Sequence, residues 1–127
     1  MSLKVVVGSR SRSRSKEAME ILEKNGYILE LNPFDRTMTE DELIERIKGA
    51  SALVAGSDKV TKRVLEAGSP TLKIVAKQGV GYNTIDIEAA KELGIAVTIT
   101  PGANSKSVAD LTMGLILNAA RNISGMD

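Results

Sequence analysis

The fold is decided by residues 72–97, LKIVAKQGVGYNTIDIEAAKELGIAV, where two short apolar runs flank a glycine-containing loop and a helix-forming segment. The run Leu72–Ala76 has the length of one buried strand, and Ile95–Ile99 has the length of a second. Between them, Asp86 is a candidate N-cap for a helix over Asp86–Leu93, and Gly94 suits the end of that helix. This order predicts a βαβ unit with parallel strands.

The rest of the chain repeats the alternation of strand and helix. Thr39-Glu40-Asp41-Glu42 is a capping box, which predicts a helix that ends near Gly49. The other predicted strands are Leu3–Val7, Tyr27–Leu31 and Ala52–Ala55, and the other predicted helices are Ser15–Asn25, Thr61–Ala67 and Ser105 to about Asn122. Because the strands are continuous apolar runs, they are typical of a sheet buried on both faces. The prediction is an α/β, flavodoxin-like fold: a five-stranded parallel sheet in the order 2-1-3-4-5 with helices on both faces.

The composition excludes several classes of function. With 17 basic and 16 acidic residues and few aromatic rings, the chain lacks the charge and stacking surfaces of nucleic-acid modules. It contains no cysteine and no histidine, so thiolate chemistry, disulfides and the commonest general base and metal ligand are all missing. No apolar run approaches the length of a membrane span, and the N-terminus lacks the pattern of a signal peptide. We therefore expect a cytoplasmic protein with no metal, nucleic acid or membrane partner.

Polar loops follow most of the predicted strands. The carboxyl ends of parallel strands form the usual ligand edge of such a sheet, and Arg10, Arg12, Lys59 and Lys77 all fall there. The loop Gly79-Val80-Gly81 allows backbone N–H groups to approach an anion closely, although a tight turn that binds nothing explains the same spacing. It is not a dinucleotide fingerprint, because Thr84 occupies the third glycine position. The pattern favours a small anionic ligand held by backbone amides and one or two cations.

The last predicted helix raises two questions, one at its start and one along its length. Asn104 either caps the helix or faces a ligand, and Ser105 and Ser107 compete for the capping role. From Val108 to Ala120 the helix is apolar almost all round. Such a helix needs burial on more than one side, so we expect a second domain or a second copy of the chain to cover it.

Two other motifs have functional interpretations that their context disfavours. The alternating Arg and Ser residues of Ser9–Ser15 resemble an RNA-associated segment, but a run of this length between a strand and a helix favours a solvated loop. Asp58 follows the third strand, as the phospho-acceptor does in receiver domains of the same topology. Those domains also need an acidic pair after the first strand, where this chain has Gly8-Ser9-Arg10.

Three segments, Leu72–Tyr82, Ile85–Ile95 and Thr100–Asn122, resemble the N-terminal substrate domain of the D-isomer-specific 2-hydroxyacid dehydrogenases. The D-3-phosphoglycerate dehydrogenases are the most similar subgroup, and the resemblance is most specific across Val54–Arg121. It implies that residues 1–104 form a flavodoxin-like substrate-binding domain and that residues 105–127 form a helix leading to an NAD-binding domain absent from this sequence. It also implies NAD bound mainly by that other domain, a small 2-hydroxy or 2-keto acid as substrate, and a role in serine biosynthesis.

The resemblance also assigns roles to individual residues. In the family, the backbone of the Gly-Val-Gly loop contacts the substrate carboxylate near the nicotinamide, a basic residue stands two positions before it, and an Asn precedes the long helix. The substrate-binding residues so implied are Gly79, Val80, Gly81, Asn104 and Lys77, to which the charge pattern adds Arg10. Val80 and Val108 are implied to lie near the cofactor.

The chain departs from the family pattern at several positions. The usual Gly-x-Asp-Asn-Ile-Asp is replaced by residues 81–86, GYNTID, and the Arg common after the third strand of the phosphoglycerate enzymes is replaced by Ala55 or Gly56. The family's catalytic Arg, Glu and His, its cofactor loop and its returning C-terminal helix all lie beyond Asp127.

The expected function is therefore the substrate-binding part of an NAD-dependent oxidoreductase that acts on a D-2-hydroxy acid, either 3-phosphoglycerate-like or hydroxypyruvate- or glyoxylate-like. No residue of this chain is expected to be catalytic, so the chain alone is expected to be inactive and to self-associate as a homodimer through the Val108–Ala120 helix. The alternative is a standalone module that binds a small anion without catalysis.

Overall fold

Strands and helices alternate along the chain in the computed structural model, which describes residues 3–10, 15–79, 81, 83–100 and 110–117. The strands are β1 (Lys4–Val7), β2 (Ile28–Leu31), β3 (Ala52–Ala55), β4 (Ile74–Lys77) and β5 (Ala96–Thr98). The helices between them are α1 (Lys16–Lys24), α2 (Glu40–Ile47), α3 (Lys62–Gly68) and α4 (Ile87–Glu92). Residues 110–117 form a further helical segment.

The five strands form one parallel sheet in the order β2-β1-β3-β4-β5, which confirms the predicted flavodoxin-like topology. The register places Val6 of β1 beside Leu53 of β3, and Leu53 beside Val75 of β4. Because side chains alternate along a strand, these three point to one face of the sheet, and their neighbours Val54 and Ala76 point to the other.

The face that carries Val6, Leu53 and Val75, here called the closed face, is covered by α2, α3 and α4. These helices bring Leu43, Ile47, Val64, Leu65, Ala89 and Ala90 onto the sheet, and all six are buried in one core cluster. The helix starts follow the sequence: Thr39 and Glu42 form the predicted capping box of α2, and Asp86 accepts a hydrogen bond from the Ala89 N–H as the N-cap of α4.

The opposite face, here called the open face, is less completely covered. Helix α1 lies beside β2 at one side of the sheet and has no buried residue. Toward the other side, Val54 and Ala76 are half-buried, while Ala96 and Thr98 are exposed. The predicted burial on both faces therefore holds for β1, whose Val5, Val6 and Val7 are all buried, but not for the edge strands β2 and β5.

Strand β4 begins two residues later than predicted. Leu72 donates its N–H to the Gly68 carbonyl at 2.9 Å and is buried against the end of α3, so it belongs to the α3–β4 connection. The apolar run gave no sign of where β4 begins, because a residue that packs beneath a helix end is as apolar as one that lies in the sheet.

The helical segment at residues 110–117 falls within the predicted last helix, whose other residues lie outside the described ones. Its apolar side chains are exposed: Leu111 by 64%, Leu115 by 59% and Leu117 by 55%. Among the described residues, none buries this apolar surface.

Candidate functional site

The carboxyl ends of β1, β3 and β4 lie side by side at one edge of the sheet. The Gly8 N–H donates to the Val54 carbonyl at 2.8 Å, and the Gln78 N–H donates to the Ala55 carbonyl at 2.8 Å. These two bonds extend the strand pairing into the loops. The segments predicted to hold a ligand, each of which follows the carboxyl end of a strand, are therefore also neighbours in space.

Gly79 begins the loop after β4 and is fixed to the segment after β5. Its backbone has φ of +128°, a conformation that residues other than glycine rarely adopt. Its N–H donates to Thr100 Oγ1 at 2.9 Å, and its carbonyl accepts the Thr100 N–H at 2.9 Å and the Thr100 hydroxyl at 3.1 Å. Because Thr100 already uses the Gly79 N–H, amides for an anion must come from later residues of the loop.

Lys77 is the last residue of β4 and reaches back toward the end of β3. Its Nζ donates to the Gly56 carbonyl, and the side chain is half-buried. An ammonium group has three donors, so this bond fixes Nζ and leaves donors for another acceptor. Lys77 is therefore a cation held in place at the ligand edge.

A pocket of about 220 Å³ opens beside Lys77, between α1 and the open face of the sheet. Ala18 and Met19 of α1 form one wall, and Val54 and Ala76 form the other. Its polar residues are Ser9, Ser15, Lys77, Gln78 and Thr100. The lining is almost entirely apolar, so a short carbon chain fits it. Because side chains alternate along β4, Lys77 leaves the strand on the side opposite Ala76, toward the Gly56 carbonyl that accepts its ammonium.

Asp58 is a buried carboxylate next to this site, with no exposed surface. Its Oδ2 accepts the Gly56 N–H at 3.0 Å, and Oδ1 has no hydrogen-bond partner among the described residues. Burial raises the pKa of Asp58 above its ordinary value, while backbone N–H groups, that of Gly56 foremost, and the Lys77 charge act in the opposite direction. Gly8 is needed here for close approach: a Cβ at Gly8 would lie 2.2 Å from Asp58 Oδ2.

The predicted site residues fall into two groups. Four of them, Lys77, Gly79, Gly81 and Arg10, are among the residues that the structure describes. Lys77 and Gly79 lie at the edge of the sheet, while Gly81 and Arg10 are exposed in the loops after β4 and β1. Val80, Asn104 and Val108 lie outside the described residues, and so does Arg12. Lys59, the other cation of the predicted edge, lines a separate cleft of about 330 Å³ with Thr61, Asn83, Thr84 and Asp86.

Sequence reasoning missed the role of Thr100 and gave no indication that Asp58 is buried, although it correctly disfavoured a phospho-acceptor role for Asp58. Thr100 follows an edge strand like any loop residue, and only its three bonds to Gly79 distinguish it. Asp58 stands where a receiver domain has its phospho-acceptor, but its carboxylate is fully buried against Gly8 and Gly56 and has no room for a phosphoryl group. In the described part of the chain, no cluster of three or more acidic, Cys or His residues could hold a metal ion.

Comparison with known proteins agrees with this arrangement of fold and loops. The family model of the D-isomer specific 2-hydroxyacid dehydrogenase catalytic domain matches residues 5–124. The chain belongs to this family. D-3-phosphoglycerate dehydrogenase of Methanocaldococcus jannaschii is 47% identical over 109 residues, which are 85% of this chain and 20% of that protein. Hydroxypyruvate reductase of Thermotoga maritima is 44% identical over 110 residues, which are 86% of this chain and 35% of that protein.

Solved structures of related proteins share the fold. The TT0316 protein of Thermus thermophilus has a TM-score of 0.89 at 32% identity, covering 97% of this chain and 38% of that one. The NAD⁺-bound 3-phosphoglycerate dehydrogenase of Entamoeba histolytica has a TM-score of 0.79 at 35% identity, covering 93% of this chain and 39% of that one. This chain thus spans well under half the length of the relatives it matches.

None of the helices that the structure describes is both long enough and apolar enough to cross a membrane.

Proposed function

We propose that this chain is the substrate-binding part of an NAD-dependent D-2-hydroxyacid dehydrogenase and that it holds the carboxylate of a small 2-hydroxy or 2-keto acid. The observation that carries the proposal is the Gly79 loop, which takes a positive φ two residues after the end of β4 and is held by Thr100, while the Lys77 ammonium is held by the Gly56 carbonyl at the end of the neighbouring strand. This arrangement places a fixed cation and a glycine loop at the edge where parallel sheets bind ligands.

Each described residue of the site has a physical task in the proposal. Lys77 would offer its remaining ammonium donors to one carboxylate oxygen, in a charge-assisted hydrogen bond. The backbone N–H groups of Val80 and Gly81, which follow the Thr100-bound Gly79, would face the other oxygen. The apolar walls of the pocket, including Met19 and Val54, would meet the carbon chain.

NAD would supply the hydride chemistry when bound, but the glycine loop of this chain lacks the dinucleotide fingerprint. Thr84, which is half-buried, stands where a third glycine would allow a helix to approach the pyrophosphate. We therefore assign this chain one wall of the cofactor cleft, at Val80 and Val108, and assign the main cofactor contacts to another domain. Alone, the chain would bind acid and leave it unchanged.

The described residues favour a hydroxypyruvate- or glyoxylate-like acid over a phosphorylated one. The turn after β3 carries Ala55 and Gly56 where the phosphoglycerate enzymes often carry an Arg, and it also carries the buried Asp58. A phosphate group carries up to two negative charges and would be repelled by an ionised Asp58. Arg10 and Lys59 are the described cations that could offset this repulsion in the alternative with 3-phosphoglycerate.

The proposal is tested by titrating isotope-labelled chain with oxamate, a stable 2-keto acid analogue, and recording the NMR shifts of the Gly79 and Gly81 amides and the Lys77 side chain. We expect saturable shifts at all three residues. Lys77→Met removes the charge at nearly constant length and should weaken binding roughly tenfold, in line with the loss of one charged hydrogen bond. Lys91→Met makes the same change on the exposed surface of α4 and should leave binding unaltered. Oxamate saturation without shifts at this edge would contradict the proposal.

A second measurement separates binding from catalysis. Purified chain mixed with NADH and hydroxypyruvate should show no fall in absorbance at the NADH wavelength, because no residue here is assigned to move a proton or a hydride. Steady NADH oxidation would overturn the assignment of catalysis to another domain. Oxamate binding by a chain that proves to be expressed without further domains would favour the alternative of a standalone anion-binding module.

We further propose that the Val108–Ala120 helix mediates self-association as a homodimer. The support is the exposure of Leu111, Leu115 and Leu117 in its described part, which places several large apolar side chains in water. Light scattering over a range of concentrations should give a mass that rises toward twice the monomer. Leu115→Glu should restore the monomer mass, whereas Leu3→Glu, at an exposed apolar residue next to β1, should not. A monomeric mass at high concentration in the unmodified chain would rule the proposal out.

A further inference from the structure

The cation of the candidate site is connected to a buried carboxylate through a single residue. Asp58 Oδ2 accepts the N–H of Gly56, and the carbonyl of the same residue, Gly56, accepts the Lys77 ammonium. The two bonds fix the turn from both sides. Without the Asp58 carboxylate, the Gly56 N–H would lose its acceptor, and the Gly56 carbonyl that holds Lys77 would be less firmly fixed.

The position of Asp58 is strongly determined by its surroundings. Its side chain has no exposed surface, and its carboxylate lies against Gly8, where even a methyl group would collide with it at 2.2 Å. The neighbouring turn is close-packed but less severely so, since a Cβ at Gly56 would lie 3.3 Å from the Ser9 Cα. Two glycines thus leave room for the carboxylate and for the turn that it holds.

Burying this carboxylate is unfavourable, and its Oδ1 gains no hydrogen bond among the described residues in return. An apolar side chain would fill the same space at lower cost if packing were the only requirement. The Gly56 turn that Asp58 holds in turn holds the Lys77 ammonium at the carboxyl edge of the sheet.

We propose that Asp58 is a positioning residue for the substrate carboxylate, acting through Gly56 on Lys77. Asp58 does not touch the substrate in this proposal; it fixes the cation that does. The inference rests on the proposed function of Lys77 as the carboxylate-binding cation, and it adds a residue that the spacing of the glycine loop does not reveal.

The proposal makes a prediction opposite to that of simple electrostatics. If Asp58 acted only through its charge, removing that negative charge would tighten the binding of an anion at Lys77. If it acts as an acceptor that holds the turn, Asp58→Ala should weaken oxamate binding about fivefold, as expected for the loss of a positioning hydrogen bond. Asp58→Asn keeps a side-chain oxygen for the Gly56 N–H and should bind oxamate at least as well as the unmodified chain.

The test measures two quantities on the 127-residue chain. One is the dissociation constant for oxamate, and the other is the chemical shift, in the ligand-free chain, of the Lys77 CH₂ group bonded to Nζ. We expect Asp58→Ala to move the Lys77 shift toward that of an unstructured lysine and Asp58→Asn to retain it. Asp86→Asn is the matched control, since Asp86 also accepts a backbone N–H, from Ala89 at 3.0 Å, and should alter neither quantity. If Asp58→Ala does not fold, Gly8→Ala replaces it, because the added methyl group displaces the same carboxylate.

The two measurements separate failure of this inference from failure of the proposed function. If Asp58→Ala changes neither the Lys77 chemical shift nor the oxamate affinity, the positioning role is wrong, while the proposed binding of oxamate at Lys77 is unaffected. A Lys77 shift that moves in Asp58→Ala but not in Asp58→Asn, in a chain that fails to bind oxamate, would support the positioning of Lys77 and reject its role in binding the carboxylate.

Discussion

The two faces of the sheet differ in how completely they are covered, although the same strands supply both. On the closed face, three helices bury Leu53 and Val75 in a continuous core. On the open face, the neighbouring Val54 and Ala76 are half-buried and line the pocket beside α1. The comparison shows that a four-residue strand contributes to a closed core on one side and to an open pocket on the other. It also suggests substitutions at adjacent positions whose effects on the free energy of unfolding should differ strongly.

The largest expected effect compares adjacent residues of β3. Leu53→Ala removes a fully buried side chain and should lower the free energy of unfolding by about 3 kcal/mol. Val54→Ala, on the open face, should cost about 1 kcal/mol, because its side chain already meets solvent in the pocket. Urea unfolding of both variants measures the difference. Equal losses would mean that the open face is as tightly packed as the closed one.

A second comparison uses the same substitution at two helical glycines. At Gly68 a Cβ would lie 2.9 Å from Leu72 Cδ2 and 3.1 Å from Ile47 Cγ1, so Gly68→Ala should destabilise the chain by roughly 1–3 kcal/mol through overpacking. At Gly114, in the exposed helical segment, a Cβ would meet nothing within 4 Å.

Gly114→Ala should therefore raise local helix content without lowering the unfolding midpoint, since alanine favours a helix by up to about 1 kcal/mol over glycine. Circular dichroism and urea unfolding on the two variants provide the check. A stabilised Gly68→Ala would disprove the tight contact between α3 and Leu72.

The smallest expected effect concerns two carboxylates with opposite environments. Glu42 is solvent-accessible, and its hydrogen bonds to Arg36 and the Thr39 N–H lower its pKa to about 2. Its stabilising contribution is therefore complete above its ordinary pKa and is lost as the pH falls toward about 2. Asp58 has a raised pKa because it is buried, so its ionisation destabilises the fold progressively as the pH rises above its ordinary value of 3.8.

Unfolding midpoints measured between acidic and neutral pH should separate the two groups. The difference between the unmodified chain and Glu42→Gln should shrink on acidification. The difference between Asp58→Asn and the unmodified chain should change in the opposite sense, with the Asn variant gaining relative stability as the pH rises. Parallel pH profiles for the two variants would contradict the assignment of opposite shifts.

Much of the fold could be predicted because its signals are local. The capping box at Thr39 and Glu42 and the helix-ending Gly49 and Gly94 act within a few residues, and the structure confirms them. The strand order followed from the alternation of elements and from general rules of handedness. The start of β4 could not be predicted, because Leu72 is buried against the end of α3, in the cluster that also contains Ile47, and burial there gives the same apolar signal as burial in a strand.

The candidate site was predictable only in part, for the same reason. Lys77 and Gly79 stand next to a strand end, so their position at the ligand edge follows from the topology. The bonds from Thr100 to Gly79 and from Asp58 to Gly56 depend on how separate loops meet in space. Family resemblance pointed to the glycine loop but gave no reason to examine Asp58, whose burial becomes visible only in three dimensions.

The strand order has a consequence for synthesis on the ribosome. Since β1 lies between β2 and β3, the middle of the sheet can pair once the chain has emerged to residue 55, and β4 and β5 then add in turn to one growing edge. Each addition joins neighbours that are close in the sequence, which keeps the entropy of loop closure low. The hydrogen bonds between Gly79 and Thr100 form only after β5 has joined the sheet, so the proposed ligand edge would be completed last.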